Sequence, residues 1–286
     1  MKEIRLSNDI KIPAMGLGAN GIWGGEEMRH SELAEKQYSI YKYAMTSKKC
    51  KLFDTSGAYG YNEEILGQAI ADTKSRDQIM IMSKVSNGAQ RAGTVRKEFE
   101  RSLSRLRTDY LDFYMIHWPQ TGTFIDTYLE MEKLYDEGLI KAIGVCNFNI
   151  HHIEALMQRA NIVPMLNQFE VHPLFTQDSL VNYCFAKDIQ VVAYSPIARM
   201  HDVLIKSKPV HTLAQKYRRT PVQIILRWHY QLNRVTIPRT TSAVHFDEFY
   251  SIVDFSLDDK EMAWINSLNE NIRLRYNPDT CDFTRL

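Results

Sequence analysis

Four residues in the first half of the chain have side chains that together can move a proton onto an oxygen: Asp54, Tyr59, Lys84 and His117. Three of them lie at or near the ends of short apolar runs, "CKLFD", "IMIMSKV" and "YLDFYMIH", and Tyr59 follows the first run by a few residues. A free phenol loses its proton near pH 10 and is a poor acid at neutral pH. An ammonium beside it favours the phenolate and lowers that value toward the working range. A carboxylate paired with the lysine keeps it charged and oriented. An imidazole opposite can direct a carbonyl oxygen toward the phenol and stabilise charge developing there. Such a set protonates an oxygen that is becoming an alkoxide. Hydride delivery to a carbonyl produces that alkoxide, and the hydride calls for a nicotinamide cofactor.

Taken singly, each residue has a plainer explanation. An Asp after a strand is often a turn former, Tyr59 in "GAYGYNEE" could be a loop aromatic, and His117 in "IHWP" could be a core histidine bonded to the backbone. The case rests on their placement together, which depends on the elements that carry them. Eight short apolar runs read as strands: Cys50–Asp54, Ile79–Val85, Tyr110–His117, Ile140–Val145, Met165–Glu170, Ile189–Ser195, Arg234–Pro238 and Ser251–Phe255. They lack strict alternation, as expected when both faces of a parallel sheet are covered. Helical spacing appears between them, for example at Val95, Phe99, Leu103 and Leu106. "TPVQIILRWHYQL" has Thr220 as cap, Pro221 in the first turn and Gln223 at the capping-box position. "SLDDKEMAWINSL" repeats the device with Ser256 and Asp259.

Eight βα units without a Pro/Gly/Ser-rich linker predict an α/β fold of the (β/α)₈ TIM-barrel kind, one domain over residues 1–286, in preference to a doubly wound open sheet. In such a barrel the chemistry sits at the C-terminal ends of the strands. Those ends also supply Trp118, Cys146-Asn147, Asn167-Gln168, Tyr194–Pro196 and Arg239–Thr241.

The run "GLGANG", Gly16–Gly21, matches a G-x-G-x-x-G phosphate turn by letter but not by context. Pro13 precedes it, and Gly24-Gly25 is a poor start for the helix that should follow. A Rossmann turn is therefore not expected. Apolar residues at 44% and charged residues at 24% describe a globular chain with a sizeable core. A net charge of +1 offers no field for nucleic acid or an anionic membrane, and neither partner is expected. "MKEIRLSNDIKIPAM" lacks the apolar centre of an export signal and no run is long enough to span a bilayer, which predicts a cytoplasmic protein. Cys50, Cys146, Cys184 and Cys281 have no metal-ligand spacing and read as reduced thiols; no metal is expected.

With these residues in place, the chain resembles the aldo-keto reductase family over almost its whole length. The matching motifs are "FDTSGAYGYNEEILGQAI", "YLDFYMIHWP" and "IPRTTS", with "GVCNFN", "NQFEVHP" and "AYSPIAR" between them. The resemblance implies a barrel with an N-terminal hairpin that binds NADPH in extended form. "GLGANG" is then similar to the loop after that hairpin, beside the substrate. It implies Tyr59 as general acid/base, Lys84 as the group lowering its pKa, Asp54 as partner of Lys84, and His117 as orienter of the carbonyl. Cys146, Asn147 and Gln168 would lie at the nicotinamide carboxamide and Tyr194 on the ring. Ser195, Ile197 and Arg199 would follow the pyrophosphate, Arg239, Thr240 and Thr241 the 2′-phosphate, with His245 and Glu248 at the adenosine end. Asn20, Trp23, His117 and Trp118 would face the substrate, a small carbonyl compound, and the resemblance implies a monomer.

The departures from the family's pattern carry expectations of their own. Cys146 replaces a usual Ser and weakens a hydrogen bond to the carboxamide. Tyr61 is an extra residue after Tyr59, and Asn20 replaces a common pocket Trp. His245 stands where an Arg usually clamps the 2′-phosphate, and Phe249 replaces a usual Asn. Imidazole cannot copy the fixed charge and fork of guanidinium, which predicts NADPH preference with weakened discrimination against NADH. The short end "NENIRLRYNPDTCDFTRL" predicts breadth toward small aldehydes and ketones. The rivals are a Schiff-base aldolase using Lys84 and a non-enzymatic binding module on the same barrel.

Overall fold

A computed structural model describes residues 1–282; positions 283–286, the end of the tail quoted above, lie outside the described residues. β1 (Glu3–Arg5) and β2 (Lys11–Pro13) form an antiparallel hairpin. Then come β3 (Leu52–Asp54), β4 (Met80–Val85), β5 (Leu111–Ile116), β6 (Ile140–Cys146), β7 (Leu166–Glu170), β8 (Gln190–Tyr194) and β9 (Val235–Thr236), parallel and hydrogen-bonded in sequence order. Helices run between them and cover the outer face. Seven of the eight expected strands are thus present, and the barrel architecture holds.

The eighth is in a different place. Residues 14–18 fill the gap between β9 and β3 and close the ring on both sides. Met15 bridges Thr236 and Leu17 bridges Phe53, both in parallel. Gly16 N–H donates to Thr236 O at 2.8 Å, Leu17 N–H to Leu52 O at 2.8 Å, and Asp54 N–H back to Leu17 O at 3.0 Å. The expected strand at Ser251–Phe255 is an irregular connector. Only Ile252 in it is buried, and its carbonyls accept from helix side chains, Arg227 at Ile252 and Gln223 at Ser251.

Along the strands the side chains divide with a two-residue period. Phe53, Ile81, Tyr114, Ile143 and Val191 face the helices, whereas Leu52, Met82, Phe113, Met115, Ala142, Leu166 and Val192 fill the barrel lumen. Leu6 and Ile12 of the hairpin pack onto that inner cluster and close its floor, and Asn8 bonds the carbonyl of Lys141 at the start of β6. The same alternation sends Asp54, Lys84, Cys146 and Gln168 inward at the opposite end.

The Val95–Leu106 helix buries Val95, Phe99 and Leu106 as its spacing predicts. The Pro221–Gln231 helix opens with the expected Thr220–Gln223 capping box. The Asp259–Asn266 helix starts two residues later than its Ser256 cap would have it. Asp258 and Glu261 form the box instead, at 2.9 and 2.8 Å, and place carboxylates at the positive end of the helix.

The closing segment depends on missing side chains. A Cβ on Gly18 would stand 2.7 Å from the Ile237 carbonyl oxygen, a backbone atom that cannot turn aside. Gly18→Ala is expected to cost about 1–3 kcal/mol, as overpacking typically does. A lower urea midpoint with an unchanged slope would show it.

Candidate active site

Lys84 is fully buried, yet its ammonium has partners in place: Asp54 Oδ1 at 2.6 Å and the Thr55 carbonyl at 2.7 Å. The Gln168 amide donates to the same Asp54 oxygen at 2.8 Å. Burial alone would discharge the Lys84 ammonium; the Asp54 charge and hydrogen bond outweigh it and hold the pKa above its ordinary value. Lys84 Nζ lies 5.4 Å from the centre of the Tyr59 ring. Tyr59 is held by its loop, for its carbonyl accepts from Ile22 at 3.1 Å. Gly60 follows with φ +60°, and a Cβ there would sit 1.9 Å from the Ile22 oxygen. Tyr61 packs under the Arg29 guanidinium and caps the Asn62–Thr73 helix, away from the site.

The Tyr59 hydroxyl is 3.5 Å from His117 Nε2, with the two rings edge to face. Burial pushes the phenol's pKa up and Lys84 pulls it down, with Asp54 raising it further; the net direction is upward. Lys84 thus acts in the expected sense, but desolvation of the phenolate outweighs it, and the phenol keeps its proton. His117 is driven well below its ordinary range by burial first, then by Lys84 and Arg275, and is neutral at pH 7. Its Nδ1 lies 3.3 Å from the Ser56 hydroxyl. A hydroxyl donating to Nδ1 leaves the N–H on Nε2, toward Tyr59.

Beside this pair opens a cavity of about 570 Å³, within the usual size of a ligand site. Its wall takes Asp54, Tyr59, His117, Trp118, Asn147, Gln168, Tyr194, Ser195, Ile197, Arg199 and Arg239 from the expected set, with Trp23 at the mouth. Asn147, at φ +62°, is fixed by its amide to the His117 carbonyl at 3.0 Å and by the Tyr194 hydroxyl at 2.8 Å. After β8 the chain holds Ser195, Ala198, Arg199 and Met200 in the left-handed region, a concentration of costly backbone of the kind that collects at binding sites.

Other expected residues lie elsewhere. Cys146 points into the lumen beneath the cavity, 3.9 Å from Met115 Sδ, with its thiol pKa raised by burial. Asn20 turns from the cavity and donates to Gln37 at 2.7 Å. Thr240 accepts from the Ser242 N–H at 3.0 Å, and neither it nor Thr241 forms the wall. His245 is exposed in the first turn of the Ala243–Tyr250 helix, and Phe249 packs in the core. Glu248 accepts the hydroxyl of Thr220 and is committed to the neighbouring helix.

Three contributors escape sequence reasoning: Ser56, Arg275 and Glu170. Arg275 lines the cavity from the C-terminal segment. Glu170 is buried at the end of β7, where its carboxylate accepts the backbone N–H groups of Leu274 at 2.7 Å and Arg275 at 3.0 Å, and meets His172 Nε2 at 3.0 Å. An acid ending a strand and two arginines in "IRLRY" are the only signals, and neither shows a partner.

The buried pair sets a clear expectation. Lys84→Met leaves Asp54 buried without its cation and should cost about 3–5 kcal/mol in urea unfolding. Adding Asp54→Asn should return most of that stability.

A model of the Aldo/keto reductase family matches residues 14–270. The chain is 40% identical over 283 residues to the uncharacterized oxidoreductase YtbE of Bacillus subtilis (strain 168), spanning 97% of this chain and 96% of that one. It is 38% identical over 277 residues to a glyoxal reductase of the same organism, spanning 96% of each. Among solved structures, MGS-M4, an aldo-keto reductase from a Medee basin deep-sea metagenome library, superposes with a TM-score of 0.90 at 32% identity, over 99% of this chain and 100% of that one. An aldo-keto reductase, AKR2E5, complexed with NADPH, gives 0.86 at 29% identity, over 95% and 89%. Barrel, site and relatives agree: this chain belongs to the aldo/keto reductase family and is an NAD(P)-dependent oxidoreductase.

Proposed function

We propose that the protein reduces small aldehydes and ketones to alcohols with NADPH, Tyr59 delivering the proton. The observation that carries this reading is a half-buried phenol and a neutral imidazole together in the wall of a cavity, with a buried, charge-paired lysine beside the phenol. The residues present suit the cofactor. Tyr194 offers a ring face, Asn147 and Gln168 offer amides, and Arg199 and Arg239 offer cations to phosphates, with Ser195 and Ile197 on the turn between. When bound, NADPH supplies the hydride. The protein's own part is to place a carbonyl oxygen within reach of the Tyr59 hydroxyl and His117 Nε2. His117 is neutral, so it donates a hydrogen bond and holds its proton. Tyr59 gives its proton to the oxygen as the alkoxide forms, and the Lys84 ammonium stabilises the phenolate left behind. Asp54 keeps that ammonium charged, which also removes the nucleophile an aldolase would need.

The glyoxal reductase relative of Bacillus subtilis and the methylglyoxal reductase DkgA of Escherichia coli (strain K12), 34% identical, support small carbonyl substrates. His245 offers an exposed imidazole in place of a guanidinium, so the preference for NADPH over NADH should be modest and should grow in His245→Arg. Equal or better kcat/KM with NADH would remove the NADPH assignment.

Turnover is read by NADPH absorbance with an aldehyde panel. Tyr59→Phe should lose at least about a hundredfold in kcat, the usual contribution of a positioned acid. Binding of NADPH without turnover on any carbonyl would point to the binding-module reading. With the Tyr59 pKa raised and that of His117 well below 6.5, reduction should stay level from about pH 6 to about pH 9. Alcohol oxidation needs the phenolate and should climb through the same range. A break in the reduction profile near pH 6.5 that His117→Gln abolishes would contradict the neutral imidazole.

A further inference from the structure

The wall of the cavity has an unusual charge balance. Arg199, Arg239 and Arg275 all line it, and among the described residues none of their guanidinium groups is paired with a carboxylate. The one acid in the wall, Asp54, is already spent on Lys84 and Gln168. Arg239 feels both other arginines, which together with burial lower its pKa. Cations that repel one another around an open space, with no anion supplied by the protein, describe a site for more than one anionic group. Arg199 and Arg239 follow the neighbouring strands β8 and β9. Arg275 comes from the C-terminal segment, where the next residue, Tyr276, meets Trp118 edge to face.

Arg275 is also placed by more than its own flexible side chain. The buried Glu170 carboxylate holds its backbone N–H and that of Leu274, so the segment is tied to the end of β7. The guanidinium's charge reaches Tyr59, His117 and Tyr194. A half-buried arginine on an anchored backbone, lining the cavity and, among the described residues, without a carboxylate partner, is a usual means of gripping a carboxylate with two parallel hydrogen bonds.

We propose that Arg275 binds a carboxylate on the carbonyl substrate, so that the preferred substrates are small aldehydes and ketones carrying an acid group. This rests on the reductase reading and adds to it a substrate class. Neutral carbonyls then enter the same cavity without using the guanidinium, and are reduced at a higher KM. Specificity built on a polar group of the substrate is steep, because the analogue lacking that group leaves the half-buried cation unmatched.

The test is a matched pair, 4-oxobutanoate and its methyl ester, which share the aldehyde and differ in charge. The expected result is a kcat/KM for the acid at least about tenfold above that for the ester, arising mostly in KM. Arg275→Met should bring that ratio close to one through a loss selective for the acid, and Arg275→Lys should keep part of it. Equal kcat/KM for acid and ester in the unmodified protein would overturn the proposal. So would a loss in Arg275→Met that is the same for both, or that follows a weaker Kd for NADPH measured by its fluorescence; either would place Arg275 on the cofactor. Binding of the acid to the NADPH complex is measured alongside, by the same fluorescence. Acid-selective binding that needs Arg275, with no turnover of either compound, would uphold the anion site while removing the reductase reading. Turnover of the ester with no preference for the acid would do the reverse.

Discussion

An ammonium group buried at the top of a barrel sets the terms for everything around it. Moving a charge that size out of water costs several kcal/mol even after relaxation, and only close partners repay it. Lys84 has them in Asp54 and the Thr55 carbonyl. The partners in turn fix the local structure: Asp54 must end β3 facing inward, and Lys84 must project from β4 toward it. Parallel pairing with a strict two-residue alternation delivers both, since Asp54 stands opposite Met82, two positions before Lys84. A slip of one residue would send both charges among the helices. The apolar layer beneath, Met82, Met115 and Cys146, keeps water from the pair on its lower side. Gln168 occupies a remaining acceptor position on Asp54 from β7, so the charge pair also joins opposite parts of the ring.

That ring closes only because one of its members is thin. Residues 14–18 run between β9 and β3 with two glycines whose missing side chains let the Leu52 and Ile237 backbones approach. The same segment continues to Ile22, whose N–H and carbonyl bond the backbone on either side of Gly60. Tyr59 is therefore positioned by the strand that closes the barrel as well as by the strand that precedes it. Of the phosphate-turn pattern in the sequence, Gly16 and Gly18 are explained by how closely Leu52 and Ile237 approach in the closed ring, and Gly21 by the Trp23 ring that lies against it.

This is also where sequence reasoning reached its limit. The apolar runs from Cys50 to Pro238 were legible because buried parallel strands leave few polar residues to confuse the pattern. Residues 14–18 were not, since "AMGLG" owes its strand to neighbours on both sides and carries no periodicity of its own. Ser251–Phe255 has strand-like composition, but a single buried side chain gives it no face to pack. Asp54, Lys84 and His117 could be read from strand ends because a barrel tells which end matters. Arg275 and Glu170 could not: their pairing spans more than a hundred positions and involves backbone N–H groups, which the sequence does not distinguish. Glu248, expected at the adenosine end, has a neighbour that the sequence did not indicate: its Oε1 accepts the Thr220 hydroxyl, and among the described residues the other oxygen of the carboxylate has no such bond.

Burial assigns the chemical roles as much as residue type does. The same desolvation acts on three ionisable groups within one small volume, and each answers according to its partners. Lys84, with an anion in contact, stays charged. His117, with cations nearby and no anion, loses its proton. Tyr59, neutral to begin with, holds its proton more tightly despite the ammonium. Groups whose proton affinities are pushed apart in this way divide the labour of acid, hydrogen-bond donor and fixed charge. A lysine in the place of Tyr59, or a second carboxylate beside His117, would undo the division without changing the fold. On the proposed reading, the Tyr59 phenol releases its proton only when an oxygen with rising basicity arrives beside it, which would make the arrival of substrate, and not the resting acidity of the site, the step that turns the chemistry on.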